Sequence, residues 1–240
     1  MVSGGLIAII PARGGSKRIP RKNIVDFSGK PMIAWTIEAA MQSGLFDSIL
    51  VSTDDAEIAD VSRRFGASVP FLRDEHSDDD ASVSLATISA LDQMERHVGA
   101  KFETVVQLMA NCPLRGAADI VAAVDRFRDS GASFQISCVK FGWMNPWWAM
   151  RLDDSFRPTP LFPGAWDRRS QDLDPLFFPT GAIWIAKAAA LRAAGTFYGE
   201  GHVFFPLDWK AGVDIDNAED LEMAKAAFAM MGRTAQALHG

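Results

Sequence analysis

The chain alternates short apolar runs with amphipathic stretches. Residues 6–11 are almost wholly apolar and run into a Gly-rich basic loop, as expected for a strand buried on both faces. After Ser28-Gly29-Lys30-Pro31, the residues Ile33, Ile37, Ala40 and Met41 recur at helical spacing, and Gly44 supplies a stop. Further strands are predicted at 48–52, 104–109, 133–139, 182–185 and 203–205. Helices are predicted at 55–65, 82–96, 117–129, 187–194 and 217–231. Residues 141–180 break the rhythm with prolines and tryptophans and read as an insertion of hairpins and loops. Strands alternating with helices of this length imply a single three-layer α/β/α domain over 1–240 with a mostly parallel, Rossmann-like sheet. Ligands bind outside the carboxyl ends of such strands, so the loops at 12–23, 53–55 and 110–115 are expected to converge.

Composition narrows the classes. The 240 residues carry 24 Lys+Arg and 30 Asp+Glu, a net charge of −6. That balance offers no general electrostatic case for nucleic acid. Cys112 and Cys138 form no CxxC or Cys/His cluster, which argues against structural zinc and a disulfide framework and for reduced thiols in the cytoplasm. No apolar stretch approaches a membrane span, and Pro11 and Arg13 interrupt the first apolar run too early for a signal peptide.

Against this acidic background one loop stands out. Arg13, Lys17, Arg18, Arg21 and Lys22 place five cations within residues 11–23. Gly14 and Gly15 are expected to adopt positive φ and bring the backbone close to a ligand. Loop N–H groups with Arg forks and Lys point charges suit a triphosphate. The segment is neither a Walker loop nor a GxGxxG turn, and a solvated basic loop is the plain alternative. Near the other end, Asp214 and Asp216 flank Ile215. In an extended segment both carboxylates face the same way, which suits Mg²⁺ completed by waters and phosphates; a solvated turn is the alternative. Asp220, three residues after Asn217, reads as a capping partner. Cys112 has no His partner and reads as a packing thiol.

Arg13-x-x-Ser16-Lys17-x-x-Pro20-x-Lys22-Asn23 resembles the opening motif of the acylneuraminate cytidylyltransferases, the CMP-sialic acid synthetases and their nonulosonic-acid relatives. Gly29-Lys30-Pro31-Met32-Ile33, Val51-Ser52-Thr53-Asp54-Asp55, Phe71-Leu72-Arg73, Cys112-Pro113-Leu114-Arg115, Pro179-x-Gly181-Ala182-Ile183 and Asp214-Ile215-Asp216 continue the likeness in order. The resemblance implies a nucleotidyltransferase fold and attack of a sugar acid's anomeric hydroxyl on the α-phosphate of CTP. Arg13 and Lys17 would hold the triphosphate, with Gly14, Gly15, Ser16 and Asn23 beside the nucleotide. Arg73 and Ala81-Ser82 would help read ribose or cytosine. Asp54 would lie near the nucleotide or cap the following helix. Asp214 and Asp216 would bind Mg²⁺.

The sugar side departs from the pattern. Met109 falls where the family has a Gln, Phe178 where Arg is common and Trp148 where Lys is expected. Met cannot replace an amide's hydrogen bonds. Met109, Asn111, Arg169 and Gln171, with Arg168, are the remaining acceptor contacts to consider. Four of the seven Trp lie between 143 and 166 and suit a small second core, a stacking surface or the homodimer that the resemblance implies. Two other readings stay open, a nucleotidyltransferase for another acceptor and a non-catalytic nucleotide-binding relative.

Overall fold

A computed structural model describes residues 5–73, 82–142 and 144–237. Its first half holds β1 (Gly5–Pro11), the two-residue strands β2 (Asp26–Phe27) and β3 (Lys30–Pro31), α1 (Met32–Ser43), β4 (Ser48–Ser52) and α2 (Ala56–Arg64). Next come α3 (Val83–Val98), β5 (Phe102–Gln107), α4 (Ala117–Ser130) and β6 (Phe134–Lys140). The remainder is β7 (Met150–Leu152), β8 (Pro158–Pro160), β9 (Phe177–Lys187), α5 (Ala188–Ala194), β10 (Val203–Leu207) and α6 (Ala218–Ala237). Six strands form one sheet in the order β10-β6-β9-β5-β1-β4. All pairings are parallel except those of β9, which is antiparallel to both β5 and β6.

The apolar run of β1 explains its central place. Leu6, Ala8 and Ile10 pack with Ile33 and Ile37 of α1, Ile58 of α2 and Ile120 of α4. Ile7 and Ile9, on the opposite face, pack with Leu91 of α3 and Leu191 of α5. Each fully buried aliphatic side chain contributes about 1.5–3 kcal/mol. A third cluster joins Ala224 and Ala227 of α6 to Phe27, Met32 and Ile215. It anchors the segment before α6 at the carboxyl ends of the parallel strands.

The three-layer expectation holds, with shifts in detail. The strand expected at 104–109 runs from Phe102 to Gln107. Leu108 N–H still reaches Ile9 O, but Met109 N–H turns toward Gly181 O. The apolar signal at 182–185 is the middle of an eleven-residue strand whose first residues are exposed and so carry no apolar pattern. Residues 177–180 therefore belong to β9 rather than to the insertion. The insertion's only described strand pairing is β7 with β8, a hairpin of three residue pairs. Trp147 Nε1–H donates to Asp174 O and its ring packs edge-on against Phe162. Trp148 Nε1–H donates to Ala165 O. Trp143 lies outside the described residues. Among the described residues no helix is long and apolar enough to cross a membrane.

Candidate active site

The loop after β1, Arg73, the start of α3 and the turn after β5 meet the segment before α6 around a cleft of about 550 Å³, while residues 53–55 support its wall from behind without lining it. Arg13, Ser16, Lys17, Arg18, Lys22, Asn23 and Arg73 line it together with Met109, Asn111, Asp214 and Asp216. The basic loop and the distant carboxylate pair thus share one cavity.

The loop is shaped by its own contacts. Asn23 is buried and its amide donates to Arg13 O at 2.9 Å. Gly14 N–H donates to Asp54 Oδ1 at 2.8 Å. Asp55, not Asp54, caps α2, accepting from Glu57 N–H and Ile58 N–H. Burial pushes the Asp55 carboxyl up, but these N–H groups and the Arg21 guanidinium, 2.6 Å away, hold it below the usual carboxylate range. The expected positive φ at Gly14 and Gly15 is not found. The loop's left-handed residue is Arg21 at φ 57°. Gly14 is needed for packing instead, because a Cβ there would stand 2.8 Å from Asp55 Oδ2.

Asp216 meets two cations of that loop, Lys22 Nζ at Oδ1 and Arg18 Nη2 at Oδ2, both at 2.8 Å. Burial raises the Asp216 carboxyl, and Lys22 and Arg18 outweigh it, leaving the group below its ordinary range. Asp214 behaves oppositely. Desolvation at the cleft wall, then the neighbouring Asp216 charge, push it up to about 6. Asn111 ties the pair together. Its amide donates to Asp214 Oδ1, to Ile215 O at 3.1 Å and to Asp216 Oδ1 at 3.3 Å. Its backbone carbonyl accepts Ile215 N–H at 2.9 Å. The two carboxylates share the Asn111 side, as their spacing predicts. Asp220 caps α6, accepting Asp216 and Asn217 N–H while Asn217 Oδ1 accepts its own.

Arg73 is buried, its N–H donates to Thr53 O at 2.7 Å, and its guanidinium faces Asp54 at 3.9 Å. Ser82 caps α3 through Ser84 N–H. Ala81 and His76 lie outside the described residues, as do Asp78, Asp79 and Asp80. Met109 lines the cleft over Gly181, and buried Gln107 sits beneath, its Nε2 3.8 Å from Met109 Sδ. Arg169 and Gln171 are not brought to the cleft of this chain. Arg169 pairs with Asp172 at 2.8 Å in an exposed turn, and Arg168 donates to Asp172 O. Outside the cleft lining, β9 begins with the exposed Phe177 and Phe178, and Phe178 packs on Phe141 at 4.8 Å.

One residue escapes the pattern-based reading of function. Arg115 is 1% exposed and has no carboxylate partner among its hydrogen bonds. Its guanidinium donates to Ala182 O at 2.5 Å and Thr36 Oγ1 at 2.8 Å, and reaches Met109 O at 3.5 Å. Burial pushes it down to about 10. A lone Arg after an apolar Cys-Pro-Leu run was the available signal. Burial also raises the Cys112 thiol far above its ordinary value, which leaves it unreactive as a nucleophile. His97 packs on Phe71, and His202 lies between Tyr198 and Phe204, so neither faces the cleft.

Asp214 and Asp216 are hard oxygen donors beside a cationic loop. Among the described residues no group of three or more His, Cys, Asp or Glu could hold a metal. Two carboxylates fit Mg²⁺ when phosphate oxygens and waters complete its shell.

A family model described as Cytidylyltransferase matches residues 7–143. The chain is 34% identical over 222 residues to a pseudaminic acid cytidylyltransferase of Campylobacter jejuni, covering 92% of this chain and 95% of that protein. It is 36% identical over 205 residues to a CMP-N,N'-diacetyllegionaminic acid synthase of Legionella pneumophila, covering 81% and 83%. A solved structure of CMP:2-keto-3-deoxy-manno-octonic acid synthetase complexed with CTP shares the fold, with TM-score 0.67 and 19% identity over 95% of this chain and 100% of that one.

Proposed function

The chain belongs to the cytidylyltransferase family and is a nucleotidyltransferase, and from that premise we propose that it condenses CTP with a nonulosonic, sialic-acid-like sugar acid. The sugar's anomeric hydroxyl attacks the α-phosphorus, the bond to the β-phosphate's bridging oxygen breaks, and CMP-sugar and pyrophosphate form. One observation carries this reading. Lys22 and Arg18 of the loop after β1 contact Asp216, 194 positions beyond Lys22, so a phosphate-binding loop and a carboxylate pair face one cleft.

In this reading Arg13, Lys17 and the loop around Gly14, Gly15 and Ser16 bind the triphosphate by charge-assisted hydrogen bonds. Asn23 fixes that loop, and Arg73 with Ser82 lies beside the nucleoside. Asp214 and Asp216 hold Mg²⁺, with Asn111 orienting both. Bound there, the ion supplies charge neutralisation at the α-phosphate and acidifies the attacking hydroxyl. Met109 forms the acceptor wall, which favours an acceptor making apolar rather than amide-type contacts at that point. The insertion exposes Phe156, Trp166 and Leu161, at 81%, 55% and 48%, which supports a homodimer interface. Two buried free thiols suit a cytoplasmic enzyme.

The test is pyrophosphate release with Mg²⁺, a panel of 2-keto sugar acids, and CTP against ATP, GTP and UTP. CTP-selective release with at least one acceptor is expected. Its absence with every acceptor overturns the assignment.

A further inference from the structure

Both oxygens of Asp216 are occupied by cations of the phosphate loop. Lys22 Nζ holds Oδ1 and Arg18 Nη2 holds Oδ2, each at 2.8 Å. A divalent ion needs those same oxygens, and the two positive groups on them oppose its approach. Asp214 alone is a weak substitute, since no third His, Cys, Asp or Glu joins the pair among the described residues. The masking groups differ in freedom. The Arg18 side chain is 63% exposed and can swing into the cleft, whereas Lys22 is 16% exposed and more firmly held. Both line the cleft where the loop's other cations, Arg13 and Lys17, lie. A triphosphate carries several anionic oxygens into that space and competes with Asp216 for the same two cations.

We infer that Arg18 and Lys22 mask Asp216 and surrender it to the divalent ion only when a triphosphate draws them away. Metal and nucleotide binding are then coupled through one exchange of ion partners. By linkage, each ligand strengthens the other by the same factor. The device keeps the carboxylate pair from collecting metal before a nucleotide arrives. The inference rests on the metal role assigned to Asp216 above. It concerns binding alone and needs no acceptor sugar.

The test is titration of the full chain with Mn²⁺, without nucleotide, reading free Mn²⁺ by electron paramagnetic resonance. The variants are Arg18→Gln, Arg18→Gln/Lys22→Met, Asp216→Asn, and the triple combination. The double variant should bind Mn²⁺ about tenfold more tightly than the parent, and Arg18→Gln alone about threefold, the size expected for lost partly screened ion pairs. The double variant's gain should not survive in the Asp216→Asn background, where the triple combination should bind like Asp216→Asn alone, as the mutant cycle requires. Equal affinity of parent and Arg18→Gln overturns the inference. So does a gain that persists without Asp216, because that would be a general charge effect. Turnover assays fail or succeed independently, so loss of the cytidylyltransferase reading is distinguishable from loss of this one.

Discussion

The Asn111 amide donates to Asp214 Oδ1 across 103 positions of sequence. The same Nδ2 also reaches Asp216 Oδ1, while the Asn111 backbone carbonyl separately accepts Ile215 N–H, so one side chain contacts both carboxylates and its backbone pins the residue between them. Asn111→Ala leaves Asp214 and Asp216 without that donor. Turnover is expected to fall about 10- to 100-fold, the usual cost of removing a group that orients metal ligands. The Mg²⁺ concentration for half-maximal rate should rise, and Tm should fall by roughly 2–12 °C for the about 1–3 kcal/mol of stranded buried acceptors. Asn111→Asp should be worse, since it replaces a donor by a third negative charge.

Asp214 also makes the protein pH-sensitive in a definite direction. Its carboxyl is raised to about 6, above its ordinary value of 3.8. The native state then binds more protons than the unfolded chain between those values, so this group's contribution falls as pH rises through that window. Asp214→Asn removes the penalty. The variant should be more stable than the parent by about 1 kcal/mol at pH 8, a figure reduced for solvent reaching the cleft. Near pH 4 the difference should vanish. Denaturant melts at the two pH values check this. Activity of the same variant should be lost at every pH.

Arg115 joins three elements and, among the described residues, makes no ion pair within salt-bridge distance. Thr36 belongs to α1, Ala182 to β9, and Met109 O to the turn after β5. Arg115→Ala opens a cavity and strands buried acceptors, so a loss of about 3–5 kcal/mol is expected. That corresponds to roughly 6–20 °C in Tm for a chain of this size. Arg115→Lys keeps the charge but not the planar fork, and should recover only part of it. Differential scanning calorimetry separates the three proteins.

The parallel strands and their helices are legible in the sequence because a doubly buried strand is a short apolar run and a helix stop is a glycine. Gly44 and Gly131 end α1 and α4 at φ 66° and 68°, as such stops do. The full length of β9 is not legible, because Phe177, Phe178 and Pro179 are exposed and show no core periodicity. In the site, clustered charge is readable and partnership is not. Five cations in one loop announce anion binding, yet nothing local says that two of them hold Asp216. Asn111, read as an acceptor contact, lines the cleft and also engages both carboxylates, a partnership that no local pattern announces. Arg169 and Gln171, read from their chemistry alone, lie in a turn whose charges satisfy each other.

At Gly181, β9 passes directly behind two cleft residues, Met109 and Asp214. A Cβ there would stand 2.9 Å from Met109 Cγ and 3.4 Å from Asp214 Oδ2. The first contact is with Met109 Cγ, close to the backbone, so Gly181→Ala should fold at some cost in stability, with the Met109 side chain rotated about χ1 toward the cleft. Asp214 would be pressed at ordinary contact distance. The expected result is a roughly tenfold fall in kcat/KM for the acceptor, about 1.4 kcal/mol, with KM for CTP changed little. Met109→Ala removes the atom that blocks the new methyl. The double variant Met109→Ala/Gly181→Ala should therefore regain acceptor turnover relative to Gly181→Ala alone. A non-additive cycle of that sign is the signature of two residues sharing one space. Additive losses would show that Gly181 acts through the backbone of β9 and not through Met109.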